Sequence, residues 1–458
     1  MKQLNKLNQV LLTITFLALS TMAYAGKYST ELTEEEFNKI DYTVSILNSV
    51  DDVCGGHLVA GQYVITAAHC IAPVDEIENY IENFGDDKSI AKVDLNLRTL
   101  SVTIGNRNRN INARIAAQWI YIHPAYVYGR DSSQNIAFND FVEEEFDTIG
   151  SIKGDIAIVK LSSRYEQQSV GILNTQEIFN DTSTDGDPII IDGWGLTEDN
   201  ILPSNIRRTE MVYNGNNKYS DDLSEKIYLF YDTEYFLPSN DNGETSGGDS
   251  GSPMKKNGVV IAYVTGGQDG GLHRGAGTFF HYPWLASLIE EVNTVGKLTL
   301  TFEQNTTQSK TWVIPVQNMT SDDVTFSTSL NDENNLFTLT NSSCEGVFAT
   351  GESCEVTVDF NVNNTEISDD ITAKLHLNDN SFVDFSITDS FVEPPAPPTP
   401  TTAPITGGSE SSSGGSTEQS LLTILAALVI IRRYISKRTL HIMFWSSIRK
   451  VAGIVLLK

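Results

Sequence analysis

Three short segments, far apart in the sequence, constrain the fold more than any other feature. They read TAAHC (residues 66–70), DIAIVKL (residues 155–161) and GDSGSP (residues 248–253). A serine hydroxyl becomes a good nucleophile only when a neighbouring imidazole takes its proton, and the imidazole in turn needs a buried carboxylate to fix its tautomer. Glycines beside the serine let the backbone turn sharply and approach a substrate closely. Together the segments favour one acyl-transfer site, which requires a fold that brings them into contact.

Each segment also has a plainer explanation when it is taken alone, because a packed histidine, a turn aspartate and a tight Gly-Asp-Ser-Gly turn are all common. Other residues compete for the roles of base and acid. His57 lies in a predicted strand and His123 precedes a proline, so both are poorer bases than His69. Asp140 lies in an acidic loop typical of solvated surface, whereas Asp155 precedes four residues that can form a buried strand. We therefore favour Asp155 over Asp140.

The three motifs occur in the His, Asp, Ser order of the trypsin/chymotrypsin-like serine proteases, and the chain resembles that family. Supporting matches are the IHP segment (residues 122–124), the GWG segment (residues 193–195) and the YPWL segment (residues 282–285). The resemblance covers roughly residues 28–295. It implies two six-stranded antiparallel β-barrels, with the catalytic groups in the cleft between them.

The resemblance also implies a role for each matching residue. Ser250 would be the nucleophile, and His69 would be the general base and later the general acid. Asp155 would orient His69. The backbone N–H groups of Gly248 and Ser250 would form the oxyanion hole. Thr265 stands where the family has a serine that supports the catalytic aspartate.

The specificity pocket departs from the trypsin pattern. Glu244 lies six residues before the predicted nucleophile, where trypsin-like enzymes carry an aspartate. Gly267 and Gly277 match wall positions where glycine leaves the pocket open, and Gly266 replaces the usual tryptophan. We predict that four residues bind the substrate: Glu244, Thr265, Gly267 and Gly277. A buried carboxylate favours Arg or Lys before the scissile bond, although the longer glutamate also has the reach to fill part of the pocket or point elsewhere.

The activation end departs from the family as well, because no IVGG-like sequence precedes the first motif. Residues 41–46 resemble the early strand of the family, and counting back from them puts the new N-terminus close to Gly26. We predict that signal peptidase itself frees the Gly26 amine, which then pairs with Asp249. Cleavage of the Lys39–Ile40 bond is one alternative, and a permanently zymogen-like site is another.

The N-terminus has the pattern of a secretory signal peptide. Lys2 and Lys6 precede an apolar stretch (residues 10–19), and small residues stand at the positions expected before a cleavage site after Ala25. The apolar stretch is too short to span a membrane, which takes about 20 residues. We predict a signal peptide over residues 1–25, with a buried first helix as the alternative.

The C-terminus is predicted to be a linker followed by a sorting or anchoring helix. Residues 391–420 are rich in Pro and then in Gly and Ser, a composition that packs no core. An apolar stretch and an arginine pair follow within residues 421–458. The arrangement resembles the GlyGly-CTERM sorting tag of Gram-negative bacteria, although 25 residues follow the arginines where the tag normally stops. It implies an intramembrane sorting protease as partner, membrane anchoring before processing, and display or secretion afterwards. An ordinary C-terminal anchor is the alternative.

The stretch between the protease-like domain (residues 26–295) and the linker is predicted to be a separate β-domain. Residues 296–390 contain seven segments with period-two alternation and polar turns, which favours an antiparallel sandwich of Ig-like type. Cys344 and Cys354 bracket a segment that resembles the signature of bacterial choice-of-anchor/ASH-like Ig domains. The expected role is a spacer or a substrate-docking module.

The four cysteines form two close pairs in the sequence, Cys54/Cys70 and Cys344/Cys354. In an exported protein each pair is expected to form a local disulfide. Neither pair has partners at zinc-finger spacing and no HExxH sequence occurs, so no structural metal and no cofactor are expected. The 59 acidic and 31 basic residues give a net charge of -28, which argues against a general nucleic-acid binder.

The fold class predicted from the sequence is all-β: a trypsin-like double barrel, an Ig-like sandwich and a C-terminal transmembrane or sorting helix. The predicted function is that of an exported serine endopeptidase acting on protein or peptide substrates through an acyl-enzyme. One alternative is a catalytically silent homologue that serves as a surface binding or adhesion protein. The other is an esterase with the same nucleophile.

Overall fold

The structure is a computed structural model that describes the chain from Ser29 to Asp389 with gaps. The described residues are 29–48, 53–72, 81–84, 91–96, 100–110, 114–128, 154–176, 187–215, 233–238, 243–267, 273–302, 307–363 and 371–389. Helices are few: α1 (Glu34–Phe37), α2 (Pro124–Tyr128) and α3 (Thr278–Ile289). None of these described helices has the length and apolar character that a bilayer crossing requires. The predicted signal peptide, linker and C-terminal apolar segment lie outside the described residues.

The first barrel is a closed ring of six antiparallel strands with a two-stranded extension. Its sheet contains β2 (Thr43–Asn48), β3 (Val53–Val59), β4 (Tyr63–Thr66), β5 (Ile81–Phe84), β6 (Ala91–Val93), β7 (Leu100–Thr103), β8 (Arg114–Ile122) and β9 (Ala157–Leu161). The ring runs β8–β7–β2–β3–β4–β9 and closes by the pairing of β9 with β8, while β6 and β5 extend it from β8. Closure removes the exposed edges that a six-stranded open sheet would carry.

The second barrel closes in the same way. Its sheet contains β1 (Thr30–Glu31), β10 (Ile172–Leu173), β11 (Pro188–Gly193), β12 (Arg207–Gly215), β13 (Thr233–Pro238), β14 (Pro253–Lys256), β15 (Val259–Gly267) and β16 (His273–Gly277). The ring runs β12–β11–β14–β15–β16–β13 and closes by the pairing of β13 with β12. β1 adds to the outside of β12, and β10 pairs in parallel with β15. Two six-stranded antiparallel barrels are therefore present, as predicted.

Apolar side chains facing inward hold each barrel together. In the first barrel, Val44, Leu58 and Val159 are fully buried in one core cluster. In the second, Ile189 and Met254 belong to a separate buried cluster. The alternation of exposed and half-buried positions along β8 follows the pleat of a strand that has one face on the core.

Beyond the barrels, two four-stranded sheets share a third core. Their strands are β17 (Glu291–Asn293), β18 (Lys297–Phe302), β19 (Thr307–Met319), β20 (Val324–Ser327), β21 (Ser329–Asn331), β22 (Phe337–Ser342), β23 (Glu345–Phe348), β24 (Ser353–Asn363), β25 (Ile371–His376) and β26 (Phe382–Asp389). One sheet has the order β17–β19–β24–β22 and the other β18–β26–β25–β21; β20 and β23 form a separate ladder. Trp312 and Phe337 of the first sheet contact Phe385 of the second.

The strand count of this region differs from the seven predicted segments. The segment predicted as one strand over residues 324–330 is divided at Thr328, whose backbone N–H donates to the Glu345 side chain. Its first part pairs with β23 and its second part pairs with β25 of the other sheet. In addition, β17 pairs with β19 although it precedes the predicted domain boundary at residue 296. The boundary itself stays a prediction.

Both predicted disulfides are present. Cys54 on β3 is bonded to Cys70, in the 3-10 turn that follows β4. Cys344 is bonded to Cys354 at the start of β24. Both bonds close short loops, and both lie in buried surroundings.

A buried polar contact joins the sandwich-like region to the barrels. The Gln317 side chain, fully buried on β19, accepts a hydrogen bond from Leu173 N–H at 3.0 Å. Its amide group donates to the carbonyls of Leu173 (2.8 Å) and Gly351 (3.1 Å). Asn293, also fully buried, accepts from Ala60 N–H and donates to the Gly171 carbonyl. These side chains satisfy backbone groups that would otherwise be unpaired in the interface.

We predict that Gln317→Leu destabilises the protein by about 3 kcal/mol, because a buried N–H and two carbonyls lose their partner. Thermal and denaturant unfolding measure the loss. Gln308→Leu, at a half-buried position near the start of the same strand, is the matched control, and we expect it to change stability by less than about 0.5 kcal/mol. Equal stability of the two variants would contradict the role given to the Gln317 contact.

Candidate active site

His69 and Asp155 form a hydrogen-bonded pair at the end of the first barrel. His69 lies in the 3-10 turn after β4, and Asp155 lies two residues before the start of β9. The two strands pair with Thr66 opposite Ala157, so these loops emerge side by side. Asp155 Oδ2 lies 2.8 Å from His69 Nδ1, and Asp155 Oδ1 accepts the His69 backbone N–H at 3.0 Å. Both carboxylate oxygens are thus used to fix the histidine.

The surroundings raise the pKa of His69 above its ordinary value. Burial lowers the pKa, but the negative charge of Asp155 and its hydrogen bond raise it by more; the positive charge of Arg274 opposes them. The side chain of Asp155 is 5% exposed and that of His69 is 31% exposed. The carboxylate is therefore buried behind the imidazole, while the imidazole keeps an open side.

Ser250 is contributed by the second barrel, in the loop between β13 and β14. The loop is fixed by backbone hydrogen bonds from Asp249 to Ser246, from Gly251 to Val264 and from Ser252 to Asp249. Across the cleft, Gly55 N–H donates to the Ser250 carbonyl at 2.7 Å. The Ser250 loop is thereby attached directly to the first barrel.

Ser250 and His69 line the same cavity, which has a volume of about 300 Å³. Two walls come from the second barrel, one from residues 245–247 and the other from residues 264–266. A further wall carries Leu196, Thr197 and Asn200. The cavity is open to solvent on one side and its surface is mostly polar, as suits the binding of a peptide.

The backbone N–H groups of Gly248 and Ser250 are available to a ligand. No described residue accepts a hydrogen bond from either of them, although their neighbours Asp249, Gly251 and Ser252 all donate within the fold. Two N–H groups in one tight turn are the donors that a developing oxyanion requires.

Asp249 is a buried carboxylate directly behind this turn. Its two oxygens accept hydrogen bonds from Gly195 N–H (2.7 Å) and Ser246 N–H (3.0 Å). A Cβ atom at Gly195 would lie 1.9 Å from Asp249 Oδ2, so the chain needs glycine there. Burial raises the pKa of Asp249 to about 6, against the two hydrogen bonds, which lower it. A cation beside this carboxylate would therefore be strongly stabilising.

Glu244 is buried, but it is not among the described residues that line the cavity. Its Oε2 atom lies 3.7 Å from Nε2 of His273, on β16. The other ring nitrogen of His273 lies 2.6 Å from the Thr245 hydroxyl. Glu244 is thus paired behind the pocket wall rather than pointing openly into the pocket.

The remaining predicted substrate-binding residues lie in or beside the same wall. Thr265 lines the cavity, and its hydroxyl donates to the Arg274 carbonyl at 3.4 Å; no hydrogen bond to Asp155 is found among the described residues. Gly267 ends β15 and Gly277 ends β16. Neither glycine is part of the described lining: Gly267 directly follows the lining residue Gly266, and Gly277 is paired with Ala262, two residues before that wall.

The competing histidines lie away from the cavity. His57 is buried against Tyr263, whose hydroxyl lies 2.9 Å from its Nδ1 atom, and burial together with the charge of Lys255 lowers the pKa of His57 to about 3. His123 packs against the rings of His281 and Trp284. Asp140, the alternative acid, lies outside the described residues.

Several residues around the cavity escaped the sequence analysis. Leu196 and Thr197 directly follow the GWG segment, which was a signal for them. His273 and Arg274 had no such signal, because their position depends on the register between β15 and β16.

One group of described residues has the atoms to hold a metal ion: Cys54, His69 and Cys70 offer donor atoms within 4.8 Å of one another. The two sulfur atoms are bonded to each other, however, so neither is a thiolate ligand. The group therefore does not fit a metal site.

The sequence model of the trypsin family matches residues 31–283, which is more than half of the chain. Among solved structures, the chain is similar to the secreted serine protease VesC from Vibrio cholerae, with a TM-score of 0.36, 20% identity, and coverage of 79% of this chain and 71% of that one. It is also similar to the VesB protease from Vibrio cholerae, with a TM-score of 0.37, 17% identity, and coverage of 80% and 99%. By the family match, this chain belongs to the trypsin family.

Proposed function

We propose that the protein is a serine endopeptidase that hydrolyses peptide bonds with Ser250, His69 and Asp155. One observation carries the proposal: His69, hydrogen-bonded through Nδ1 to the buried Asp155, lines the same cavity as Ser250. The trypsin-family match supports a serine-type hydrolase independently of this geometry.

In the first half of the proposed reaction, the Ser250 oxygen attacks the carbonyl carbon of the scissile bond while His69 Nε2 takes the hydroxyl proton. The negative charge of Asp155 stabilises the imidazolium that forms. The carbonyl oxygen, now negative, is bound by the N–H groups of Gly248 and Ser250. His69 then gives the proton to the leaving amine, and the C–N bond breaks to leave an acyl-enzyme.

In the second half, a water molecule takes the place of the leaving amine. His69 removes a proton from the water as it attacks the ester carbon of the acyl-enzyme. The same proton returns to the Ser250 oxygen when the ester bond breaks, so the enzyme is regenerated and the acid product leaves.

A preference for Arg or Lys before the scissile bond is part of the proposal. Its support is the buried carboxylate of Glu244 behind the pocket wall.

Export, an Ig-like fold for the sandwich and processing of the C-terminal tail by an intramembrane sorting protease are further parts of the proposal. Their support is the sequence pattern of residues 1–25 and 391–458, together with the two four-stranded sheets that share one core. In this proposal the tail anchors the protein in the membrane before processing, and the protein is then displayed or secreted.

The proposed activation joins the Gly26 amine to Asp249. Two strand pairings support it: Glu31 lies opposite Arg207, and Arg207 lies opposite Gly193. A Cβ atom at Gly193 would lie 2.4 Å from Asp249 Oδ1. Asp249 is therefore about two strand spacings, or about 10 Å, from Glu31.

Five residues of extended chain span at most about 17 Å, so the length between Glu31 and Gly26 is sufficient for the amine to reach Asp249 if the chain before Ser29 turns back towards it. The Ser29 carbonyl accepts a hydrogen bond from Arg207, which holds the segment in place. Cleavage at the Lys39–Ile40 bond would remove this docked segment, so we favour Gly26.

We predict that a fluorophosphonate probe labels Ser250 and that Ser250→Ala abolishes labelling and lowers kcat by about 10⁶-fold, because the nucleophile is lost. Mass spectrometry of the labelled peptide and hydrolysis of Arg-containing peptides are the measurements. Ser252→Ala is the matched control: its buried hydroxyl has no hydrogen-bond partner among the described residues, and labelling should persist.

Absence of labelling in the processed wild-type protein would support the silent binding homologue instead. Labelling with hydrolysis of esters but of no peptide would support the esterase.

We predict that the Cε1–H resonance of His69 titrates above pH 6.5 and that Asp155→Asn moves the titration below pH 6.5. The reason is that burial, which lowers the pKa of His69, is then no longer offset by the carboxylate. Since catalysis needs the neutral imidazole, wild-type activity should rise with pH through the raised pKa, and the variant should lose about 10⁴-fold in kcat. His57, remote from Asp155, should be unaffected; an unchanged His69 titration would refute the assignment.

We predict that the active enzyme begins at Gly26 and that acetylation of this amine lowers kcat/KM by about 100-fold or more, because Asp249 is left as an unpaired buried charge. N-terminal sequencing and peptide hydrolysis test this. Acetylation of a chain that retains Ala25 is the control, since that chain should already be poorly active. Full activity of the acetylated enzyme would show that Asp249 has another partner.

A further inference from the structure

Arg274 covers the position where a side chain at residue 266 would lie. The ladder between β15 and β16 pairs Gly266 with Arg274, next to a register shift between Val264 and Gly266. A Cβ atom built on Gly266 would lie 3.4 Å from Nε and 3.5 Å from a terminal nitrogen of Arg274. The half-buried guanidinium group therefore lies next to Gly266, which lines the cavity, while Arg274 itself is not one of the lining residues.

This guanidinium is close to the reacting groups. Gly266 lines the same cavity as His69 and Ser250. The positive charge of Arg274 lowers the pKa of His69, which shows that the charge is felt at the imidazole. A charge on this wall therefore acts on whatever occupies the cavity.

No described carboxylate side chain forms an ion pair with Arg274. Glu244, the buried acid predicted to lie in the pocket, lies 3.7 Å from His273 instead. A half-buried arginine at the wall of a binding cavity is suited to a planar anion, because its fixed N–H groups can donate two parallel hydrogen bonds to a carboxylate.

We propose that Arg274 binds an acidic side chain of the substrate, located within three residues of the scissile bond; this rests on the proposed endopeptidase function. An extended peptide advances about 3.3 Å per residue, so the three residues on either side of the scissile bond lie within about 10 Å of it. Because residue 266 has no side chain, a Glu or Asp of the substrate can reach the guanidinium directly.

This specificity is separate from the preference for Arg or Lys, which concerns the residue directly before the cleaved bond and depends on Glu244. The two together define a substrate that carries a basic residue at the cleavage point and an acidic residue nearby.

The experiment uses the active, processed enzyme and peptides with a fixed Arg before the cleaved bond. Glu and Gln are compared in turn at each other position within three residues on either side. We expect kcat/KM to be about tenfold higher for Glu than for Gln at one position in the wild-type enzyme. The ratio should fall to about one in Arg274→Gln and be partly kept in Arg274→Lys, which has the charge without the planar fork.

Two controls separate a binding role from general damage. Arg114→Gln, at an exposed position on β8 of the first barrel, should keep the tenfold ratio. Arg274→Gln also changes the electrostatic surroundings of His69, so the Glu/Gln ratio is taken within each enzyme, where an effect common to both peptides cancels. A Glu/Gln ratio near one at every position in the wild-type enzyme, or an unchanged ratio in Arg274→Gln, overturns the proposal.

The same peptides are also measured for binding to Ser250→Ala by calorimetry, with and without Arg274→Gln. Tighter binding of the Glu peptide that depends on Arg274 supports the proposal even if no peptide is hydrolysed, in which case the proposed endopeptidase function alone fails. Equal binding of the Glu and Gln peptides overturns the Arg274 proposal by itself.

Discussion

One backbone hydrogen bond, from Gly55 N–H to the Ser250 carbonyl, connects the two barrels where their functional groups meet. Gly55 follows Cys54, and the disulfide from Cys54 to Cys70 holds the residue next to His69. The loop with the serine and the turn with the histidine are therefore fixed to the same short stretch of β3. The geometry of the cavity depends on this attachment, because Ser250 and His69 come from different barrels and neither barrel alone contains the candidate site.

Much of this arrangement could be predicted from the sequence, because the motif residues lie in close contact with one another in the fold. A Cβ atom at Gly251 would lie 2.1 Å from the Thr66 hydroxyl oxygen, and one at Gly55 would lie 2.0 Å from the Ser252 hydroxyl oxygen. Glycine is required wherever the two loops touch, and such requirements give a recognisable pattern. The double barrel was implied by the family resemblance that these motifs carry, and both disulfides were predicted from the spacing of the two cysteine pairs in an exported protein. The motifs also contain His69, Asp155 and Ser250, whose catalytic roles stay predictions.

The positions that could not be predicted from the sequence are those that depend on the register between paired strands. Whether Glu244 points into the pocket or towards His273 depends on how β16, which carries His273, is paired with its neighbouring strands. No sequence motif precedes β16, so this pairing was not predictable. The same holds for Arg274, which is eight residues after Gly266 in sequence but directly opposite it in the ladder. Thr265 shows the limit of carrying over a role by position, since its hydroxyl donates to the Arg274 carbonyl and no bond to Asp155 is found among the described residues.

The contact between the barrels and the sandwich-like region bears on how the protein works as a whole. A spacer would be joined by a few exposed contacts, whereas Asn293 and Gln317 are fully buried and use both ends of their amide groups across the contact. Separating the two parts would break the hydrogen bonds between these side-chain amides and the backbone groups of the barrels. Each polar group left buried without a partner costs about 1–3 kcal/mol. The sandwich is therefore held in a fixed orientation to the cleft, and a substrate that touched it would be presented to Ser250 at a defined distance.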